Sequence, residues 1–228
     1  MFRPCKTLFL LALLAATSPQ EGFGAPAAPA KPSGVLLSQT VGMVAGDVFT
    51  SREAALSGLL ERLWVAPAKD PGAPTPADSE AGRREQSAML LEEAVSRESA
   101  AFSVGTASSG EIEKLSEKAQ KTLSADGNWK RLDFTPEELK RAVTRKLNAK
   151  SMIRIKSESM RGPIPDSDAA AYFEKNRIKF GNLPFSAFKE NIKTLLQEQQ
   201  LEERLRSWFE ILRRKYKVRD LASEGHRG

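Results

Sequence analysis

The sequence predicts an all-α domain with a long C-terminal helix and a small two-stranded pairing between its N- and C-terminal segments. Apolar residues recur at spacings of three and four along most of the chain, which is typical of amphipathic helices. Capping signals precede several of these stretches. Only residues 41–49 and 218–221 carry a strand pattern, and their pairing makes the first and last elements neighbours.

The N-terminus predicts export. Arg3 and Lys6 precede an apolar run over residues 7–16, the pattern of a secretory signal peptide, which we place at residues 1–24. The run is shorter than the roughly 20 apolar residues that span a bilayer, so we expect no transmembrane anchor. The sequence therefore predicts an exported protein, with a flexible tether rich in Pro and Ala at residues 25–38.

The first structured elements are predicted to be a strand with a turn over residues 41–49 and a helix over residues 51–64. Thr50 and Glu53 have the spacing of a capping box, in which each side chain bonds to the backbone amide of the other residue. Residues 67–82 are rich in Pro, Gly and small polar side chains. This composition predicts a mobile loop between the first two helices.

Capping patterns also mark the central helices. The second helix is predicted to begin at Ser79 or Arg83 and to end at Phe102. Ser108 and Glu111 predict another capping box, in front of a third amphipathic helix. That helix carries apolar residues at spacings of three and four, namely Ile112, Leu115, Ala119 and Leu123.

The strongest helix signal is the segment 135–138, Thr-Pro-Glu-Glu. It combines a capping hydroxyl, a Pro at the first helical position and a Glu three residues after the cap. The helix is predicted to extend to Ile155 or Met160, before Gly162-Pro163. A shorter helix is predicted over residues 166–177.

The last helix is predicted from Phe185 to Tyr216, directly after the four-residue connection 181–184. Its apolar residues form two sets, Phe185, Phe188, Ile192 and Leu195, then Leu201, Leu205, Trp208 and Leu212. The step between the sets turns the apolar stripe by about 120° around the helix axis. We therefore expect the two halves to pack against different neighbours. The helix as a whole, residues 185–216, is predicted to pack back on the N-terminal part of a single domain spanning residues 39–221. Residues 222–228 are predicted to be a disordered tail.

The residue inventory argues against catalysis. The chain has one Cys and one His, Cys5 in the predicted signal peptide and His226 in the predicted tail. The chain therefore lacks the residues for a His-activated nucleophile and for a metal site built from nitrogen and sulfur ligands. Neighbouring carboxylates such as Glu92 and Glu93 diverge by about 100° on a helix and do not share a site. We predict no catalytic residue, no metal and no cofactor.

Charge leaves several classes of partner open. The net charge is +6, and the excess of Lys and Arg lies C-terminal to Asp126. Such a surface attracts nucleic acid, anionic lipid or acidic proteins. Export argues against nucleic acid, and charges interleaved at helical spacing, as in residues 202–204, indicate a solvated helix face.

Met and aromatic side chains are the remaining candidates for function. A core position explains most of them, but Met is also favoured on surfaces that accept varied partners, because its flexible side chain repacks. Met152 and Met160 lie near the Gly162-Pro163 break, and Tyr172 and Phe173 lie in the following helix. These four residues are our candidates for an adaptable apolar binding surface, with the core as the alternative.

Three segments occur in the order found in a known family. Residues 41–53 combine a strand, a turn, a Thr-Ser pair and a helix start; residues 166–180 contain Tyr172-Phe173-Glu174-Lys175-Asn176; residues 185–213 form the long final helix. This order resembles the SurA-like periplasmic chaperones and parvulin-type foldases. The resemblance implies a SurA N-terminal-like helical chaperone domain that binds unfolded or partly folded exported proteins, outer-membrane proteins among them.

The sequence departs from the enzymatic members of that family at the connection 181–184. The resemblance implies a prolyl isomerase domain there, and four residues are too few for a domain. The histidines of the parvulin active site also have no counterpart. We therefore expect an ATP-independent periplasmic chaperone without isomerase activity. The alternative is a non-catalytic scaffold or subunit that binds one fixed partner in the cell envelope, and the oligomeric state stays open.

Overall fold

The computed structural model describes residues 38–65 and 72–221. The predicted signal peptide, nearly all of the predicted tether and the predicted tail lie outside these residues. The described chain is mostly helical, as predicted. Its helices are α1 (Ser51–Val65), α2 (Glu80–Phe102), α3 (Ser109–Ala125), α4 (Gly127–Lys130), α5 (Pro136–Met160), α6 (Asp166–Lys175), α7 (Arg177–Phe180) and α8 (Lys189–Lys215).

A small antiparallel sheet joins the two ends of the described chain. Its strands are β1 (Thr40–Val44), β2 (Asp47–Thr50) and β3 (Arg219–Asp220), in the order β2-β1-β3. The expected pairing of N- and C-terminal segments is present, with Gly42 opposite Asp220. The sheet nevertheless has three strands rather than two, because residues 45 and 46 adopt positive φ angles of 53° and 96° and fold β1 back onto β2.

Gly42 allows the last strand to approach β1 closely. A Cβ atom at this position would lie 2.3 Å from the carbonyl oxygen of Arg219 and 2.5 Å from Cδ1 of Leu90. Any larger residue would therefore push apart β1, β3 and α2.

The three predicted capping boxes all form. The Thr50 amide donates to the Glu53 carboxylate at 3.0 Å, and the Ser108 amide donates to Glu111 at 3.1 Å. The box at the start of α5 closes with a distance of 2.8 Å from the Thr135 amide to Glu138. Local sequence therefore sets the starts of α1, α3 and α5.

Residues 72–79, the described part of the predicted mobile loop, are tied to the neighbouring helices. The Trp129 indole Nε1 donates to the Gly72 carbonyl at 2.7 Å, and the Gln86 amide donates to the Ala77 carbonyl at 2.8 Å. These bonds satisfy backbone groups that a free loop exposes to water. Residues 72 and 77 of the predicted loop thus have hydrogen-bonded contacts with α4 and α2.

Two apolar clusters form the core of the main helical body. The first lies among α1, α3, α4 and the N-terminal half of α5, and Trp129 is fully buried in it. The second lies beneath the sheet, among α2, the C-terminal half of α5 and the C-terminal half of α8. The short helix α4, which carries Trp129, has too few residues to show a periodic pattern, and the sequence analysis missed it.

Helix α8 packs on two different neighbours, as predicted. Its N-terminal half contributes Ile192 to a separate cluster with α6, whereas its C-terminal half contributes Trp208 and Leu212 to the second core cluster. The predicted start at Phe185 is wrong, because residues 185–187 form a 3₁₀ turn and α8 begins only at Lys189. The tighter turn eclipses side chains three residues apart. It thereby brings both Phe185 and Phe188 to the aromatic cluster on α6.

An ion network around the buried Lys146 joins helices α1, α2 and α5. The Lys146 side chain on α5 is 2% exposed, and its ammonium donates to Glu92 on α2 and, at 3.2 Å, to Glu61 on α1. Lys150 also donates to Glu61 at 2.9 Å. Ser57 completes the network by donating to the second Glu92 oxygen at 2.7 Å. Every charge in the network thus has an opposite charge beside it.

A second ion pair joins the start of α1 to the start of α5. The Arg52 guanidinium binds both carboxylate oxygens of Glu138, at 2.6 and 2.9 Å, and donates to the carbonyls of Leu132 and Asp133 at 2.6 Å. The hydrogen bond from Arg52 is the main cause that lowers the pKa of Glu138 to about 2. The Glu138 carboxylate therefore caps α5 and also links the start of α5 to the start of α1.

We predict that Glu138→Gln destabilises the protein by about 1 kcal/mol at neutral pH, since solvent screens a pair at this depth. Gln still closes the capping box, so the loss reports the ion pair. Because the folded pKa is depressed, the advantage of the wild type is complete above the ordinary pKa of 4.5 and disappears as the pH falls towards about 2. Urea unfolding at several pH values checks this, with Glu137→Gln as the control; a pH-independent difference contradicts it.

We predict that Lys146→Met destabilises the protein by about 3 kcal/mol, because Glu92 stays buried without its cation. The double variant Lys146→Met with Glu92→Gln should be more stable than the single variant, since the amide keeps the bond from Ser57 without a charge. Urea denaturation of the three proteins measures both effects. A double variant no more stable than Lys146→Met would show that the charge of Glu92 is not the cause.

We predict that Phe173→Ala loosens α6 selectively. Phe173 of α6 lies at the centre of the aromatic cluster between α6 and the start of α8. Its removal leaves a cavity that costs about 3–5 kcal/mol of local stability. Amide hydrogen exchange should therefore rise in α6 and in the start of α8, while α2 and α5 keep their protection. Uniformly faster exchange in all helices would show that the cluster is not a separate cooperative unit.

Candidate binding groove

Two of the four candidate residues from the sequence are core residues. Met152 is 3% exposed and packs under the sheet, in the same cluster as Trp208 and Leu212. Phe173 is 1% exposed, and its ring stacks on Phe180 with centroids 4.9 Å apart. Neither side chain reaches the surface, so the prediction that Met152 and Phe173 bind a partner directly is corrected.

The other two candidates are half-buried but lie in different places. Tyr172 packs edge-on against Phe180, with centroids 6.4 Å apart, in the cluster on the N-terminal half of α8. Met160 packs on the second core cluster, beside the C-terminal half of α8. The structure therefore does not bring the four residues into one surface.

Met160 lines an open groove on α8. The groove has a volume of about 650 Å³ and is lined by Met160, Gln200, Glu203, Arg204, Ser207, Trp208 and Ile211. All except Met160 belong to α8, at steps of three and four that place them on one helix face. Ile211 is 53% exposed and therefore presents apolar surface to an occupant of the groove.

Hydrogen bonds from α8 hold the other wall of the groove. The Arg204 guanidinium donates to the carbonyl of Met160, the last residue of α5. The Gln197 amide donates to the Gly162 carbonyl at 3.0 Å. The end of a helix has carbonyls without helical partners, and these two side chains satisfy carbonyls at this point. The position of Met160 relative to α8 is thereby fixed.

The groove has an apolar floor and a mixed rim. Met160, Trp208 and Ile211 provide the apolar surface, and Lys156 places its ammonium 6.0 Å from the Trp208 ring centroid. Glu203 and Arg204 add one charge of each sign at the rim. An apolar surface with charges of both signs around it suits an apolar chain segment better than a highly charged ligand.

Sequence reasoning missed Ile211 and Arg204. Ile211 adjoins Leu212 but lies off the apolar stripe of α8, and an apolar residue beside a helix stripe is a signal that was available. Arg204 was assigned to a solvated face, since its partner is a backbone carbonyl that no sequence pattern reveals.

Within residues 38–65 and 72–221, no three His, Cys, Asp or Glu side chains lie close enough together to hold a metal ion. The same part of the chain contains no helix that is both long and apolar enough to cross a membrane. Comparison with protein-family models, with curated proteins and with solved structures finds no match for this chain.

Proposed function

We propose that this protein is an ATP-independent periplasmic chaperone that holds unfolded or partly folded exported proteins through the groove on α8. The observation that carries the proposal is the open apolar floor formed by Met160, Trp208 and Ile211. The order of elements shared with SurA-like chaperones and the predicted signal peptide also support it. Binding lowers the concentration of free unfolded chain and so slows its aggregation.

The dimensions of the groove favour a short apolar segment as the occupant. A volume of about 650 Å³ lies within the range of ligand pockets, roughly 300–1,000 Å³, and accommodates a few side chains at a time. Met160 gives the wall a flexible side chain that repacks around different shapes. Such a site suits many clients with weak affinity better than one partner with high affinity.

Isomerase activity is not part of the proposal. The chain passes from α7 through residues 181–184 directly into the 3₁₀ turn at Phe185, so no domain is inserted at this connection. The protein would therefore act by holding a client rather than by catalysing rotation about its prolyl bonds.

We predict that the purified full chain suppresses aggregation of a chemically unfolded outer-membrane protein on dilution from urea, measured by light scattering. Ile211→Asp should weaken this suppression by about tenfold, because a buried carboxylate opposes an apolar occupant. Ile178→Asp is the matched control, since Ile178 is also an exposed Ile but lies on α7, outside the groove. The predicted apolar run at residues 7–16 is present in all three proteins and does not affect their comparison.

Two results would contradict this function. Equal losses in Ile211→Asp and Ile178→Asp would show that exposed apolar surface in general, rather than the groove, binds the client. No suppression by the wild type, together with capture of one folded partner at equal stoichiometry from an envelope extract, would favour the alternative of a scaffold or subunit.

A further inference from the structure

The segment that contains α7 and residues 181–184 presents apolar side chains to solvent. Ile178 is 99% exposed and Leu183 is 55% exposed. Gly181 has φ 59° and ψ −138°, a conformation that other residues rarely adopt, and an added Cβ atom would meet nothing within 4 Å. We call residues 175–183 the apolar tip, because its two aliphatic side chains are exposed.

The apolar tip is anchored from below. Phe180 points the opposite way from Ile178 and packs on Phe173 and Phe188, each with ring centroids 4.9 Å away. The Arg177 guanidinium lies 4.6 Å from the Phe173 ring centroid. Because these contacts are aromatic and mostly buried, the tip is presented by a packed base rather than by a loose loop.

The charge of the tip is positive and largely uncompensated. Lys175, Arg177 and Lys179 are exposed. Among the described residues, 38–65 and 72–221, Lys175 and Lys179 have no partner for an ion pair. Residues 175–183 contain no acidic side chain, and Glu174 directly precedes them. The first turn of α6 carries Asp166 and Asp168. Asp166 is already paired with Lys189 and Lys193, and hydrogen bonds from these two lysines lower the pKa of Asp166.

We propose that the apolar tip docks on the surface of an anionic lipid bilayer. Ile178 and Leu183 enter the boundary between head groups and acyl chains, while Lys175, Arg177 and Lys179 contact lipid phosphates. Cations beside protruding apolar side chains match the two layers of such a surface. A specific protein interface requires roughly 800 Å² from each partner and a complementary shape, which two protruding side chains do not provide. A fluid bilayer adapts its shape to them.

This inference concerns a different face from the groove and is independent of the chaperone proposal. The test is co-sedimentation of the full chain with vesicles of phosphatidylcholine alone or mixed with phosphatidylglycerol. We expect binding to the mixed vesicles that falls as salt is added, because ions screen exposed charges. The double variant Ile178→Asp with Leu183→Asp should bind the mixed vesicles about tenfold more weakly, and Lys175→Gln with Lys179→Gln should lose most of the preference for phosphatidylglycerol.

Ile211→Asp is the control, because it removes an exposed aliphatic side chain from the groove and leaves the tip unchanged. The full chain is used in every case, so the apolar run at residues 7–16 contributes equally. Circular dichroism should be unchanged in the tip variants, since the altered side chains are exposed. Equal binding of wild type and the Ile178→Asp, Leu183→Asp variant would overturn the proposal. Self-association in sedimentation velocity that this variant abolishes would also overturn it and assign the tip to a second copy of the chain.

Discussion

The buried ammonium of Lys146 constrains the relative positions of helices α1, α2 and α5. Removing an ammonium ion from water costs several kcal/mol unless opposite charges accompany it, and here Glu92 and Glu61 come from two other helices. Helices α1, α2 and α5 must therefore meet at one register and one distance. Along α5 the first core cluster includes Val143, before Lys146, and the second includes Ala149, after it. Apolar packing alone tolerates sliding, whereas the ion network does not.

The groove lies on α8, which packs on α2 and α5. The N-terminal half of α8 packs on α6 through Ile192 and Leu196, whereas its C-terminal half packs on the second core cluster through Trp208 and Leu212. Within the part of the chain that the structure describes, the face between Gln200 and Ile211 lines an open groove, and the end of α5 at Met160 forms its other wall. A change of stripe that looks like an irregularity of sequence thus leaves an exposed concave surface where a partner can bind.

Interactions within one or two helical turns were predictable from the sequence, whereas contacts between residues distant in sequence were not. The capping pairs at Thr50, Ser108 and Thr135 act within one turn of helix and were recognised from spacing alone. The change of packing partner along α8 was recognised in the same way, although Leu195 of the predicted first stripe is exposed and Leu196 packs in its place. The bond between Arg52 and Glu138 joins residues far apart in sequence, and either residue looks like an ordinary helix-start charge by itself. Burial of Met152 and Phe173 likewise depends on which helix covers them, so sequence left both the core and the surface open as alternatives.

The pairing of β3 with β1 has a consequence for the order in which the molecule is completed. A ribosome synthesises the N-terminus first, yet β1 obtains its second neighbour only when Arg219 and Asp220, near the end of the described chain, have emerged. Trp208 and Leu212, which close the second core cluster, arrive only shortly before. Nascent chains that lack α8 therefore expose apolar side chains of α2 and α5, and the native packing of this part of the chain becomes available only after Asp220 has been synthesised.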